Sequence, residues 1–122
     1  MIAYFNPLGS TSLAVATYVG SGGNCGEGSA TGKWQCDIVE ASSGTSYSIK
    51  EFNPSITITS KGTPVIAYTA EELNLDKAFL KAATYVGSGG NCGEGSATGK
   101  WQCDVIDEED DTLFVDTSIV AL

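Results

Sequence analysis

The 122-residue chain contains no arginine and no histidine, and its six cationic side chains are all lysine. Without arginine there are no bidentate guanidinium clamps for carboxylates or phosphates. Without histidine the usual general base near neutral pH is gone, and with it any Ser/His or Cys/His nucleophilic arrangement. Fifteen acidic residues set the formal net charge at −9. That excludes a nucleic-acid partner, which needs a basic surface. No apolar run approaches the roughly 20 residues that span a bilayer, so membrane insertion is not expected. Met1 to Asn6 has neither the basic start nor the long apolar core of a signal peptide.

Cofactor motifs are missing as well. Ser29-Ala30-Thr31-Gly32-Lys33-Trp34 fails as a phosphate loop, because Glu27 holds the first glycine position and Trp34 replaces the magnesium-facing Ser or Thr. Gly20 to Cys25 lacks the third glycine and the βαβ surroundings of a dinucleotide fingerprint. The acidic run Asp107 to Asp111 lacks the spacing of a calcium loop and reads as a solvated turn. No catalytic residue, cofactor or metal site is expected.

What the chain does have is glycine, 15 in all, together with Ser, Thr and β-branched residues in short alternating runs. This is the composition of short strands joined by tight turns. The four cysteines, Cys25, Cys36, Cys92 and Cys103, fall at a repeated spacing without a C-x-x-C pattern. That reads as two disulfides, Cys25–Cys36 and Cys92–Cys103, formed in an oxidising compartment. It sets the expected location outside the cell or at its surface. Each disulfide closes a small ring worth about 3 kcal/mol in the chain-entropy model.

The chain repeats itself. Ala16 to Asp37 and Ala83 to Asp104 are identical letter for letter, 67 residues apart. The flanks match in pattern only: Ile2-Ala3-Tyr4 with Ile66-Ala67-Tyr68, and Leu13-Ala14-Val15 with Leu80-Lys81-Ala82. Each unit yields four strand candidates. The first is Ser55 to Thr59, and the second is Pro64 to Thr69. The third is Phe79 to Val86 (Leu13 to Val19 in the other copy), and the fourth is Lys100 to Ile106 (Lys33 to Val39). Glu71 to Lys81, whose Glu, Leu, Asp, Lys and Ala tolerate one helical turn or more, reads as a long connection between the second and third. The expected fold is all-β, made of four-stranded antiparallel propeller blades, two blade equivalents per chain; a β-sandwich is the alternative.

The runs Gly62-Thr63-Pro64-Val65-Ile66-Ala67-Tyr68, Leu80-Lys81-Ala82-Ala83-Thr84-Tyr85 and Lys100-Trp101-Gln102-Cys103-Asp104 resemble the disulfide-containing blade repeat of secreted prokaryotic β-propeller proteins. The resemblance covers nearly the whole chain, and the Cys-Gly-Glu-Gly hairpin insert is its most distinctive part. Ala82 and Val15 depart from it where the family tends to have an aromatic residue, and Thr69 and Phe5 where it often has Tyr or Asp. It implies a scaffold and no particular activity.

Residues 1–54 would then hold strands two to four and a linker, 55–117 a complete blade with an acidic turn, and 118–122 a lone first strand. One blade is thus split between the ends. The expectation is head-to-tail self-association, with Ser118, Ile119, Val120, Ala121 and Leu122 of one subunit pairing with Ile2, Ala3, Tyr4 and Phe5 of the next, as a ring or a fibre. The leading functional expectation is a structural scaffold whose partner is itself. The alternative is a lectin-like module that binds glycan through Trp34, Trp101, Tyr18 and Tyr85, with Tyr47 and Tyr68 as further aromatics. Against that stands the plain reading that such side chains pack between blades. Asp37 and Asp104 read as acceptors of backbone hydrogen bonds within their hairpins, with a carboxylate pair across a ring of blades as the alternative. Peptide mapping without reduction should recover Cys25 linked to Cys36 and Cys92 linked to Cys103; a Cys25–Cys92 link would contradict the stapled hairpin.

Overall fold

The computed structural model describes residues 1–6, 11–42, 47–49, 54–75 and 77–110. The fold is all-β: eight strands, three short 3-10 turns and no α-helix among the described residues. Strands β1 (Ile2–Asn6), β2 (Ser12–Tyr18) and β3 (Trp34–Ala41) form one antiparallel meander. The second sheet contains β5 (Ser55–Ile58), β6 (Pro64–Glu72), β7 (Lys77–Tyr85) and β8 (Trp101–Asp110) in the same order. The short strand β4 (Tyr47–Ile49) lies in the segment between the repeats and shares the outer edge of β6 with β5. Neither sheet closes on itself.

The two sheets keep the same register. Ile2 faces Ala16 and Ala16 faces Cys36, just as Ile66 faces Ala83 and Ala83 faces Cys103. Both carry one bulge at the same place: Leu13 pairs with Glu40 and Ala14 with Ile38, which skips Val39, and Leu80 pairs with Asp107 and Lys81 with Val105, which skips Ile106. The duplicated sequence thus reproduces the local irregularity of the strand as well as its pairing.

Alternation along the strands gives each repeat two faces. The front face of the first carries Leu13, Val15 and Val39; its back face carries Ile2, Trp34 and Cys36. The second repeat turns its own back face, with Ile66, Tyr68, Ala83, Trp101 and Cys103, onto the front face of the first, and these side chains form one apolar cluster. The stacking is therefore front to back, and it makes equivalent residues unequal. Val39 is 0% exposed and its counterpart Ile106 is 61% exposed; Ile66 is 0% exposed and its counterpart Ile2 is 52% exposed.

The hairpin inserts are held by more than their disulfides, Cys25–Cys36 and Cys92–Cys103, each with Cα atoms 6.0 Å apart. The Asn24 carboxamide accepts from Cys36 N–H at 2.7 Å and donates to the Cys36 carbonyl at 2.9 Å, replacing a missing ladder residue; Asn91 does the same at Cys103. Gly23 and Gly90 are required by close approach. A Cβ there would lie 2.0 Å from the Trp34 or Trp101 carbonyl oxygen. The disulfides point to a non-cytosolic environment, and no helix among the described residues is long and apolar enough to cross a membrane.

Three expectations need correction. The long connection across Glu71 to Lys81 is mostly strand: β6 continues to Glu72, β7 begins at Lys77, and only the 3-10 turn Leu73–Leu75 and Asp76 intervene. Asp107 to Asp110 is strand as well, paired with Lys77 to Leu80, with Lys77 Nζ 2.5 Å from Glu108 Oε1. Glu71 and Glu72 have strand partners on both sides, in β4 and β7, and such pairing overrides weak β propensity. The linker expected within residues 1–54 contains a strand, Tyr47–Ile49, and its Ile49 is fully buried. Asp111 and Ser118 to Leu122 lie outside the described residues.

Truncating Ile66 should expose the asymmetry between equivalent positions. Ile66→Ala should cost about 2–5 kcal/mol in urea unfolding, and Ile2→Ala no more than about 0.5 kcal/mol. Equal losses would contradict front-to-back stacking.

Candidate functional site

A network of buried polar side chains among the described residues sits inside the contact between the sheets. β7 is a central strand, so Lys81, on its inward face, is carried into the stack and is only 9% exposed. Glu40, just past the bulge of β3, meets it from the other repeat, with Lys81 Nζ 2.6 Å from Glu40 Oε1. Lys81 also donates to the Tyr47 hydroxyl at 2.8 Å. The Tyr47 hydroxyl donates to Glu40 Oε1 at 2.5 Å, and the Tyr68 hydroxyl donates to Glu40 Oε2. Nζ lies 5.4 Å from the centre of the Tyr47 ring and 5.8 Å from that of Tyr68.

A buried ion pair persists only when its remaining donors and acceptors are satisfied. Here two phenols supply the missing partners. Burial, reinforced by the Glu40 carboxylate beside them, pushes the ionisation of both Tyr47 and Tyr68 far above the ordinary tyrosine range. Both remain neutral hydrogen-bond donors, which suits the site to fastening the repeats together.

A second contact fastens the hairpin of the second repeat to the outer strand of the first. Glu94 N–H donates to the Ile38 carbonyl at 3.1 Å, and Ser96 Oγ donates to Asp37 Oδ1 at 3.0 Å. Gln35 Nε2 holds that Asp37 oxygen at 3.0 Å, and Gln102 holds Asp104 in the same way. The expectation of backbone donors is thereby corrected: the hydrogen bonds described for the two aspartates come from side chains, and Asp37 accepts across the repeat boundary.

The aromatic residues fall into two places. Tyr85 and Trp101 meet edge to face with ring centres 5.3 Å apart, as do Tyr18 and Trp34 at 5.4 Å. Trp101 is buried in the stack, while Trp34, its twin, is half-buried on the uncovered back face beside exposed Tyr18. Tyr85 and Trp101 line a cleft of about 220 Å³ together with Gln35, Asp37 and Lys100. Tyr18 and Trp34 contribute nothing to that cleft. Tyr47 and Tyr68 are taken up by the Glu40 group. Ile2 to Phe5 form the edge strand β1, with Ile2 exposed.

Glu40 and Lys81 were not singled out by sequence. One signal was available: Lys81 occupies an inward position between Phe79 and Ala83, where the other copy has Ala14. Comparison with family models, curated proteins and solved structures finds no match to the chain.

Both phenols ionise less readily in the folded chain than in the unfolded one, so their contribution is complete below about pH 10 and declines as pH rises above it. Tyr68→Phe should cost about 1.5–3 kcal/mol at pH 7. The gap to the parent should narrow in unfolding titrations above about pH 10. Glu40→Leu should cost about 3 kcal/mol or more, since it leaves the Lys81 ammonium buried without its counter-charge. A pH-independent gap, or a neutral Glu40→Leu, would contradict this account.

Proposed function

We infer that this protein is a non-catalytic, self-assembling scaffold of the extracellular space or cell surface, built from β-propeller blades. The observation that carries the reading is the front-to-back stacking of two copies of one meander. Blades of a propeller stack in this way around an axis, and two are too few to close a ring, which takes about four to eight. Neither sheet has an inherent end to the stacking: each repeat offers a front and a back. The disulfides and the net charge of −9 fit an extracellular role without nucleic acid. Subunits adding in one direction would give either a closed ring or a continuing fibre.

The cleft beside Tyr85 favours a second reading, a lectin-like module. An aromatic face next to a carboxylate, a carboxamide and an ammonium group is suitable chemistry for a carbohydrate.

Light scattering over a wide concentration range, micrographs and a glycan array together decide between them. The scaffold reading expects concentration-dependent assembly into regular rings or fibres and no saturable sugar binding. A chain that stays monomeric, and binds a glycan that Tyr85→Ala no longer binds, would replace the scaffold with the lectin.

A further inference from the structure

We propose that a second copy of this chain docks on the exposed Asp104–Ile106 stretch of the second repeat's front face through the exposed hairpin and back-face residues Glu27, Ser29 and Ile2 of its own first repeat, reproducing between molecules the contact made within one. This rests on the self-assembling reading and names the surfaces that reading requires.

Within the chain, the contact is made by Glu94 N–H on the Ile38 carbonyl, Ser96 on Asp37, and Val39 pressed into the apolar cluster. The repeat places every one of these groups a second time. Glu27 and Ser29 stand in the first hairpin where Glu94 and Ser96 stand in the second, and both are exposed. Asp104, the Val105 carbonyl and Ile106 stand on β8 where Asp37, Ile38 and Val39 stand on β3, and all three residues are exposed. Asp104 is already oriented by Gln102, as Asp37 is by Gln35. The donors lie on one end of the molecule and the acceptors on the other. They cannot meet within one chain whose own repeats stack front to back, and they do meet when a neighbour continues the stack.

The letter-for-letter identity covers the side-chain donors and the aspartate acceptors of this contact, and it ends one residue before the paired positions Ile38–Val39 and Val105–Ile106, which match only in apolar character. Ala16–Asp37 holds the donors Glu27 and Ser29 and the acceptor Asp37; Ala83–Asp104 holds Glu94, Ser96 and Asp104. The ion pair is not repeated, because the counterparts of Lys81 and Glu40 are Ala14 and Asp107. The contact between molecules therefore brings Asp107 to a surface without a cation, on a chain of net charge −9. Added salt should screen the repulsion and strengthen assembly.

Two exposed substitutions test the proposal while leaving the internal contact intact. Ser29→Asp sets a carboxylate against the neighbour's Asp104 and blocks the back face; Ile106→Asp blocks the front face. Each alone should weaken association at least about tenfold, with circular dichroism and urea midpoints unchanged. Mixed together they should form a 1:1 heterodimer that grows no further, because one intact front meets one intact back. Two results overturn the proposal and leave self-assembly standing: both variants assembling like the parent, or both blocked with no heterodimer on mixing. A parent chain monomeric at all concentrations overturns the proposal and the scaffold reading together.

Discussion

The rest of the structure depends on one constraint: an antiparallel meander with two apolar faces must cover them with neighbours, and two repeats stacked in one chain cover one face of each. Sheets of three or four strands need a partner layer for stability. The chain solves this with its own duplicate, turning the front of the first repeat onto the back of the second. The apolar cluster, the Glu40–Lys81 pair with its two phenols, and the hairpin bridges to Asp37 and Ile38 are all parts of that one contact. None of them lies within a single repeat.

The contact combines two kinds of interaction with different consequences. Its apolar half, around Val39, Ile66 and Trp101, contributes in proportion to area and is tolerant of small displacements. The polar half demands register. Glu40 must reach Lys81 and both hydroxyls at once, and the β3 bulge skips Val39 to bring it there. A one-residue slip would send every inward side chain outward. The buried carboxylate would then lose its partners.

Much of the architecture was legible in the sequence. The duplicated segment, the alternation in Ser55–Ile58 and the turn before Pro64 located the antiparallel strands, and the cysteine spacing located the disulfides now seen at Cys25–Cys36 and Cys92–Cys103. What was not legible came from pairing between distant segments. Glu71, Glu72 and Asp107 to Asp110 have poor strand propensity, yet each continues a ladder begun by better strand formers. Tyr47–Ile49 is too short to announce itself and is a strand only because β6 extends far enough to receive it. The Glu40–Lys81 group is not legible in the sequence because its members come from β3, β4, β6 and β7, and because the two copies differ at the equivalent pairs Glu40 and Asp107, and Ala14 and Lys81.

The identity of the two inserts also bears on how the chain reaches its oxidised state. Cys25 meets the same flanking residues around Cys36 and Cys103, so local recognition gives no means of choosing between them. Chain statistics do. Cys36 is 11 residues away and Cys103 is 78. The difference in closure entropy, (3/2)RT ln(78/11), is about 1.7 kcal/mol, roughly a twenty-fold preference for the nearer thiol. The Asn24 carboxamide, which grips the backbone at Cys36, adds to that preference once the hairpin forms. Between crowded chains the preference weakens, because a neighbouring molecule offers both thiols in an equivalent setting. Slow oxidation at high concentration therefore favours interlinked chains, and early closure of each ring, before the repeats stack, keeps every molecule covalently separate.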